Sequence, residues 1–306
     1  MRSIAGALLA AMTWFAFVAT ALADNGLERF EREIKPNLEL EKFSYASGQP
    51  LGASGFVLTD VVAVVPASPA TDGKPSTVKI DKVTVEQIDF DRLKKGNDQD
   101  MPRFAKVRLE GMTGDDEMFG ALAPYGVPKV PVDVTIDYGL DTATKVLSMN
   151  KLEINLRGQA RLTLAFVLEG ISDKSGLEAA KDEGRLRSAS LTFGDSGLIA
   201  KVLPAVAKEQ GNTAGGLVGL ALISIAGFAA GQNDNTQKAL DAVASFVADW
   251  EAPKGPITIG IQPAKTAGLA DLAKVMQPNA LVEVFGFTAS YPGSRAGAAQ
   301  SPPLPK

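Results

Sequence analysis

The chain contains no histidine and no cysteine among its 306 residues. Histidine is the usual proton acceptor of hydrolytic triads and the commonest side-chain ligand of metals, while cysteine provides nucleophilic thiolates and disulfides. The two absences exclude most triad, thiol and zinc chemistry, and they leave the fold without covalent cross-links. We therefore expect no catalytic residue, no metal site and no cofactor, and a protein that is not an enzyme.

An excess of positive charge is absent as well. The sequence has 31 lysine and arginine residues against 35 aspartate and glutamate residues, which gives a net charge of −4. Proteins that bind nucleic acids normally carry a basic face, because they neutralise backbone phosphates. The charge balance therefore predicts no nucleic-acid partner.

Two short motifs resemble catalytic signatures but lack the residues that would complete them. The segment Gly194-Asp195-Ser196-Gly197 matches the nucleophile segment of chymotrypsin-like proteases, whose mechanism requires a histidine. The segment Ser76-Thr77-Val78-Lys79 matches the S-x-x-K pattern of penicillin-recognising enzymes, but the companion S-D-N element is missing and the segment has the pattern of a strand. A hydrolase acting through carboxylates or a Ser-Lys pair is therefore the last of three hypotheses about function.

The first 23 residues have the composition of a secretory signal peptide. Arg2 supplies a short positive start, residues 4–21 are almost wholly apolar, and Ala21-Leu22-Ala23 is an A-x-A-like cleavage site. We interpret residues 1–23 as a cleaved signal peptide, which predicts a periplasmic protein. An uncleaved membrane anchor is the alternative, because the apolar run approaches the length of a bilayer span.

Three consecutive segments between residues 130 and 170 alternate apolar and polar side chains. This period of two is that of a strand with one buried face. The apolar positions are Val132, Val134, Ile136 and Tyr138, then Leu152, Ile154 and Leu156, then Leu162, Leu164, Phe166 and Leu168. Glycines permit tight turns between the segments, at 139–142 and 157–159. The pattern predicts an antiparallel meander of long strands.

Further strands and helices flank the meander. Strand patterns cover residues 105–110, 257–262 and 281–290, and a less regular pattern covers 78–90, where changes of apolar phase predict bulges that curve the sheet. Helices are predicted around 198–206 with a kink or an interruption at Pro204, after an N-cap at Asn235, and after an N-cap at Thr266. The predicted fold class is α+β, with a large curved, mostly antiparallel β-sheet and helices packed on one face.

We expect a single β-rich α+β domain over residues 24–291, which is long enough for a substantial core. The segments Leu109-Glu110-Gly111 and Leu168-Glu169-Gly170 each precede a polar stretch and a new strand. An internal duplication of 103–139 and 162–194 is therefore an open alternative to coincidence. Residues 292–306 are poor in large apolar side chains and are predicted to be a disordered tail.

One segment combines high hydrophobicity with a lack of charge. Residues 210–233 contain no charged side chain, and the stretch from Gly215 to Phe228 is apolar around the helical circumference. We predict a Gly-rich helix near 213–231, which has to be buried in protein or in lipid. Three interpretations stay open: a core helix on the sheet, a lipid-facing lid or membrane-inserted hairpin, and a transmembrane span. The G-x-x-x-G pairs Gly215/Gly219 and Gly227/Gly231 would allow close helix approach in membranes.

The long amphipathic strands, the Leu-Glu-Gly segments and the apolar helix behind a signal peptide resemble bacterial AsmA-like periplasmic proteins and related uncharacterised envelope families. The resemblance covers about residues 78–290 as a pattern. It implies a curved β-sheet groove with an apolar interior and a role in envelope lipid handling. The chain differs from that group in being short.

The leading hypothesis is a non-enzymatic periplasmic protein that binds a lipid or another hydrophobic ligand and serves in cell-envelope maintenance. The candidate ligand contacts are Leu217, Leu220, Ile223, Phe228, Leu164 and Phe166. The expected partners are a lipid or membrane surface and an envelope protein. The alternative is a structural or interaction protein of the envelope with no small-molecule ligand, in which the apolar helix belongs to the core.

Overall fold

The computed structural model describes residues 24–67, 73–93, 102–115, 119–172, 183–268, 282 and 285–294. The predicted signal peptide lies outside the described residues, as do most of the predicted tail and most of the helix predicted after Thr266. The predicted start of that helix at Thr266 is wrong. Ala267 and Gly268 form a short strand instead, because they pair with Leu186 and Arg185 of a neighbouring strand.

Twelve strands are described, and they form one antiparallel sheet. The strands are β1 (Lys42–Ser44), β2 (Ser47–Leu51), β3 (Gly55–Val65), β4 (Ser76–Ile88), β5 (Phe104–Gly114), β6 (Val132–Asp141), β7 (Val146–Leu156), β8 (Ala160–Glu169), β9 (Arg185–Asp195), β10 (Ile257–Ile261), β11 (Ala267–Gly268) and β12 (Phe287–Ser290). Their order is β1-β3-β4-β5-β6-β7-β8-β9-β10-β12, with β2 also paired to β3 and β11 to β9. The predicted α+β class with an antiparallel sheet is confirmed.

The predicted meander is the centre of this sheet. Strands β6, β7 and β8 pair in sequence order, and the turn between β7 and β8 lies at 157–159 as expected. The first turn was predicted too early. Strand β6 continues to Asp141, whose carboxylate accepts hydrogen bonds from the backbone N–H groups of Ala143 and Thr144. That side chain stabilises a turn at 142–145, three residues later than predicted.

Bulges interrupt most of the long strand pairs. The predicted irregularity between residues 78 and 90 is confirmed by a register shift between Val85 and Gln87 in the β4–β5 pair. Similar shifts occur in the β5–β6, β6–β7, β7–β8 and β8–β9 pairs. The shift in β5 contains Gly111, which has a φ of 68° that other residues rarely adopt. Each bulge bends its strand and increases the local twist.

Four α-helices complete the described structure. They are α1 (Gly26–Arg29), which continues into the π-helical turn Phe30–Ile34, α2 (Leu198–Glu209), α3 (Ala214–Ala229) and α4 (Asp234–Ala248). Helix α2 runs through Pro204 without interruption. The N-cap of α4 is Asn233, not Asn235 as predicted, because the Asn233 side chain accepts a hydrogen bond from the Thr236 backbone N–H.

The hydrophobic core is divided along the sheet. At one end, α1 packs on β3 and β4 around Phe30, Phe56 and Leu58. At the other end, α4 packs on β10 around Phe246 and Ile257. Two smaller clusters, around Leu140 and around Phe285, lie at the margins of the meander and of β9.

Candidate functional site: an apolar sheet face and an exposed helix

One face of the sheet is apolar across most of its width. Residues that are directly paired on neighbouring antiparallel strands project from the same side of the sheet, so the registers trace each face from strand to strand. Two adjacent rows of paired residues contain no polar side chain. Row 1 is Leu58, Val83, Leu109, Val134, Ile154, Leu162, Phe193 and Ile257. Row 2 is Phe56, Val85, Val107, Ile136, Leu152, Leu164, Leu191, Ile259 and Ala289.

Helices cover both ends of these rows. The ring of Phe30, in the turn after α1, stacks on Phe56 with a centroid distance of 4.6 Å. At the far end, the ring of Phe246 on α4 meets Phe193 edge to face at 6.1 Å. These contacts bury the row residues at the ends of the sheet, as expected for apolar side chains that form a core.

The middle of the rows is not packed in this way. We call the row residues on β6–β9, apart from Phe193, the central apolar patch: Val134, Ile136, Leu152, Ile154, Leu162, Leu164 and Leu191. None of them is fully buried, and none belongs to a packed cluster of the described residues. The directly paired Ile154 and Leu162 are each 36% exposed. Within the described part of the chain, the patch is a contiguous aliphatic surface that water reaches.

The opposite face of the same strands is polar and internally bonded. Asp133 accepts hydrogen bonds from Arg157 Nη2 at 2.6 Å, Asn155 Nδ2 at 3.0 Å and the Gly111 backbone N–H at 2.8 Å. The Arg157 guanidinium, followed by the Gly111 and Asn155 donors, holds the pKa of the Asp133 carboxyl below its ordinary value. This polar face is stable in contact with water. The apolar face, in contrast, is stabilised when a protein segment or a ligand covers it.

One margin of the patch is shaped by α2 and by the segment before β6. Asp195, at the end of β9, accepts from the backbone N–H groups of Gly197 and Ile199 and so starts α2. Lys201 Nζ donates to Gln159 Oε1 at 2.6 Å, which ties α2 to the turn between β7 and β8. The protease-like motif around Asp195 therefore has a structural role as a helix start.

A small cavity adjoins the patch at this margin. Its volume is about 260 Å³, and apolar side chains line it, among them Leu122, Val127, Val132 and Leu156. Val132 and Leu156 are themselves a directly paired couple on the apolar face. The aliphatic surface therefore continues from the patch into a recess.

Helix α3 is exposed, which contradicts the interpretation of this segment as a core helix. Thr213 caps it by accepting from the Gly216 backbone N–H at 3.0 Å. No residue of α3 is fully buried; Leu220 is 56% exposed and Ile223 is 71% exposed. The helix packs mainly against α4 and, at its start, against α2. An apolar helix in this position leaves much of its surface without a protein partner among the described residues.

A groove of about 720 Å³ separates α3 from α4. Leu222 and Ile225 form its apolar wall on α3, while Asp234, Lys238 and Asp241 bring charged groups from α4. The groove is therefore amphipathic, unlike the central apolar patch.

The six predicted ligand contacts fall into two separate places. Leu217, Leu220, Ile223 and Phe228 lie on α3, whereas Leu164 and Phe166 lie on β8, whose main neighbours are β7 and β9. Leu164 belongs to the central apolar patch. Phe166 packs against the cluster of Leu140, Leu147 and Ile171 at its margin. The structure therefore does not unite the six residues in one site.

Sequence reasoning named only Leu164 of the seven patch residues as a ligand contact. The residues that it missed are Val134, Ile136, Leu152, Ile154, Leu162 and Leu191. The alternation of apolar residues was recognised in the sequences of β6, β7 and β8 but not in that of β9. It indicates which side chains share a face, but not whether another part of the chain covers that face.

Two further searches concern the described residues only. No group of three or more aspartate or glutamate side chains is placed to hold a metal ion. No single helix is long and apolar enough to cross a bilayer, whereas α2 and α3, which meet at 94°, reach that length and composition only as a bent pair.

Part of the chain matches a known protein family. A family model described as "Uncharacterized protein" matches residues 153–292, slightly less than half of the chain. The match begins in β7 and includes β8, β9 and helices α2–α4, and therefore part of the central apolar patch. No curated protein matches the chain.

Proposed function

We propose that the protein is a non-enzymatic, exported envelope protein that binds lipid acyl chains on the central apolar patch. The observation that carries the proposal is the pair of uninterrupted apolar rows whose ends are covered by helices and whose middle is packed by none of the described residues. A soluble protein rarely leaves a contiguous aliphatic surface in water unless something binds there.

The chemistry of the patch favours an acyl chain. All seven side chains are Val, Ile or Leu, so the patch offers no hydrogen-bond donor, acceptor or charge to orient a polar ligand. Protein interfaces usually contain aromatic or arginine anchors, and the patch has neither. Burial of each methylene group contributes about 0.8 kcal/mol. A chain of ten or more carbons would therefore offset the cost of ordering it.

Export and an envelope role belong to the same proposal. The signal-peptide pattern of residues 1–23 supports export to the periplasm, where membranes on both sides supply lipid. The resemblance to AsmA-like envelope proteins supports a curved sheet that handles lipid. A structural protein without a small ligand remains the alternative, and lipid analysis separates the two.

The test is to purify the protein after expression of the full chain and to extract and identify what it carries. We expect phospholipid or fatty acid in a fixed molar ratio by native mass spectrometry and lipid extraction. The double variant Ile154→Asp/Leu162→Asp should lose this lipid, because it places two carboxylates in the patch. Both side chains already reach water, so the variant should still fold, which circular dichroism checks.

The matched control is Ser190→Asp. Ser190 is exposed on β9, next to the patch residue Leu191 but on the opposite face of the sheet. It should keep the wild-type lipid content. A wild-type protein without lipid, or a patch variant that retains as much lipid as the control, would exclude this function and favour the structural alternative.

A further inference from the structure

We propose that α3 inserts into the hydrocarbon region of one leaflet of a phospholipid bilayer and seats the protein on the membrane surface. This inference concerns a surface separate from the central apolar patch. It rests on the exposure, the composition and the tethering of α3, and it holds or fails independently of lipid binding on the sheet.

The outer surface of α3 is apolar and free of polar groups that would need water. Leu220, Ile223 and Gly227 lie on one exposed stripe at helical spacing. Ser224 adds the only hydroxyl of this surface, and it donates to the Leu220 backbone carbonyl at 2.9 Å. The backbone itself is bonded within the helix, as lipid requires. The stripe can therefore leave water without stranding a donor or an acceptor.

Apart from Ser224, the polar residues of this segment lie at its two ends. Asn212 and Thr213 precede α3, and Gln232 and Asn233 follow it. A helix that lies in the headgroup plane has one strongly polar, usually basic, face. Helix α3 has no charged residue on any face, which fits immersion in hydrocarbon better than a location among headgroups.

The length and the tether of α3 exclude a simple span. Its 16 residues rise about 24 Å, which is short of the roughly 30 Å hydrocarbon core of a bilayer. Helix α2 meets it at 94° and is held to the sheet by Lys201 and Gln159. Straightening the pair into one spanning helix while α2 stays on the sheet would pull α3 away from α4, against which it packs. The geometry indicates that α3 enters only one leaflet, while α2 stays on the sheet.

The glycines of α3 favour lipid, and not a second helix, as the partner that covers the exposed surface of α3. A Cβ added at Gly215, Gly219 or Gly227 would meet no atom of the described residues within 4 Å, so no described helix packs on the G-x-x-x-G pairs. Their surface is open and shallow, which lipid chains fill readily. A second copy of the chain is the competing occupant, and the experiment separates the two.

The first experiment places a fluorescent probe on α3. Ile223→Trp is combined with Trp14→Phe and Trp250→Phe, so that the new indole is the only tryptophan in the chain whether or not residues 1–23 are cleaved. We expect a blue shift with phosphatidylcholine vesicles and strong quenching by lipids brominated along the acyl chain. The matched control Ser190→Trp, on the polar sheet face, should show neither. Quenching by brominated lipid reports the membrane depth of the indole at position 223. The result therefore has the same meaning whether or not residues 1–23 are still attached.

The second experiment removes the apolar stripe. Leu220→Asp/Ile223→Asp should lower the partition onto phosphatidylcholine vesicles in flotation assays by roughly a hundredfold, because carboxylates are expelled from hydrocarbon. Both positions are exposed, so the thermal unfolding midpoint should not fall. Wild-type binding should be insensitive to salt and need no anionic lipid, because the segment carries no charge.

The outcomes are distinct. An Ile223→Trp variant whose emission is not quenched, or an aspartate variant that floats like wild type, overturns the inference. So does a wild-type dimer that the aspartate variant converts to monomer without any vesicle binding, because the occupant would then be a second copy. Vesicle insertion by a protein that carries no co-purified lipid would uphold this inference while rejecting lipid binding on the sheet.

Discussion

Arg103 binds Asp89 through three hydrogen bonds and closes the base of the connection between β4 and β5. The backbone N–H donates to Oδ2 at 3.0 Å, Nε donates to the same oxygen at 2.6 Å, and Nη2 donates to Oδ1 at 3.0 Å. Asp89 is only 2% exposed, so its charge depends on this partner. Hydrogen bonding from Arg103 is the main reason that the pKa of the Asp89 carboxyl lies below its ordinary value.

This pair predicts a specific loss of stability in Asp89→Asn. We expect urea unfolding at pH 7 to show a decrease of about 2–3 kcal/mol, because a nearly buried ion pair is broken while half-exposed Arg103 regains some water. The folded-state pKa of Asp89 is lowered, so its contribution is complete above the unfolded pKa of about 4 and is lost as the pH falls further. Wild type should therefore approach the variant below pH 4.

The control is the exposed pair of Asp24 and Arg32, 2.6 Å apart on the surface. Asp24→Asn should leave the unfolding curve at pH 7 unchanged within error, because exposed ion pairs contribute little. Equal losses in the two variants would contradict a special role for the Asp89 site.

A second prediction concerns the cover that α1 provides. Phe30 is 6% exposed, stacks on Phe56 and meets Phe43 edge to face at 5.8 Å. Phe30→Ala should lower the free energy of unfolding by about 3–4 kcal/mol, because it removes a large ring from a packed cluster. Urea denaturation measures the loss. Leu51→Ala, at a 44% exposed position on β2, is the control and should cost less than about 1 kcal/mol.

A third prediction contrasts two glycines. Gly111 has a φ of 68°, and a Cβ there would collide with the Asp81 carboxylate. Gly111→Ala should therefore destabilise the protein by about 2 kcal/mol or more. Gly219 lies inside α3, and a Cβ there would meet no described atom within 4 Å, so Gly219→Ala should instead stabilise the helix by about 0.5–1 kcal/mol. Thermal unfolding followed by circular dichroism measures both, and a destabilising Gly219→Ala would show that α3 has a close neighbour.

The strands were predictable because their signal is local. Alternation of apolar residues in β6, β7 and β8 requires only neighbouring positions, and the change of phase between Val85 and Ile88 was sufficient to predict the bulge in β4. The capping-box residues Asn25 and Glu28, which bond reciprocally at the start of α1, were an available signal for a helix that we did not predict.

The site was less predictable because it depends on distant parts of the chain. The composition of residues 210–233 predicts a helix, but the exposure of Leu220 and Ile223 depends on where α2 and α4 place it. Likewise, the sequence of β7 and β8 shows that Ile154 and Leu162 share a face. Only the tertiary structure shows that α1 and α4 cover the ends of that face, while no described element covers its middle.

The last prediction compares two neighbouring residues of β8 that sequence reasoning grouped together. Phe166 packs against Leu140, Leu147 and Ile171, whereas Leu164 belongs to none of the packed clusters that the described residues form. Phe166→Ala should therefore lower the free energy of unfolding by about 2–3 kcal/mol in delipidated protein. Leu164→Ala should lower the free energy of unfolding by only about 1 kcal/mol, because the partly exposed Leu164 side chain loses little packing when it is shortened.

In the presence of oleate, Leu164→Ala should have a larger effect on ligand binding than Phe166→Ala, which is the reverse of their order in stability. Oleate that binds the central apolar patch raises the unfolding midpoint of wild type, since it binds only the folded protein. The midpoint shift should be reduced most in Leu164→Ala, which has lost a ligand contact, and least in Phe166→Ala at the margin. Ser188→Ala, on the polar face of β9, is the control and should respond to oleate like wild type. Equal oleate shifts in all three variants would mean that the acyl chain does not lie on Leu164.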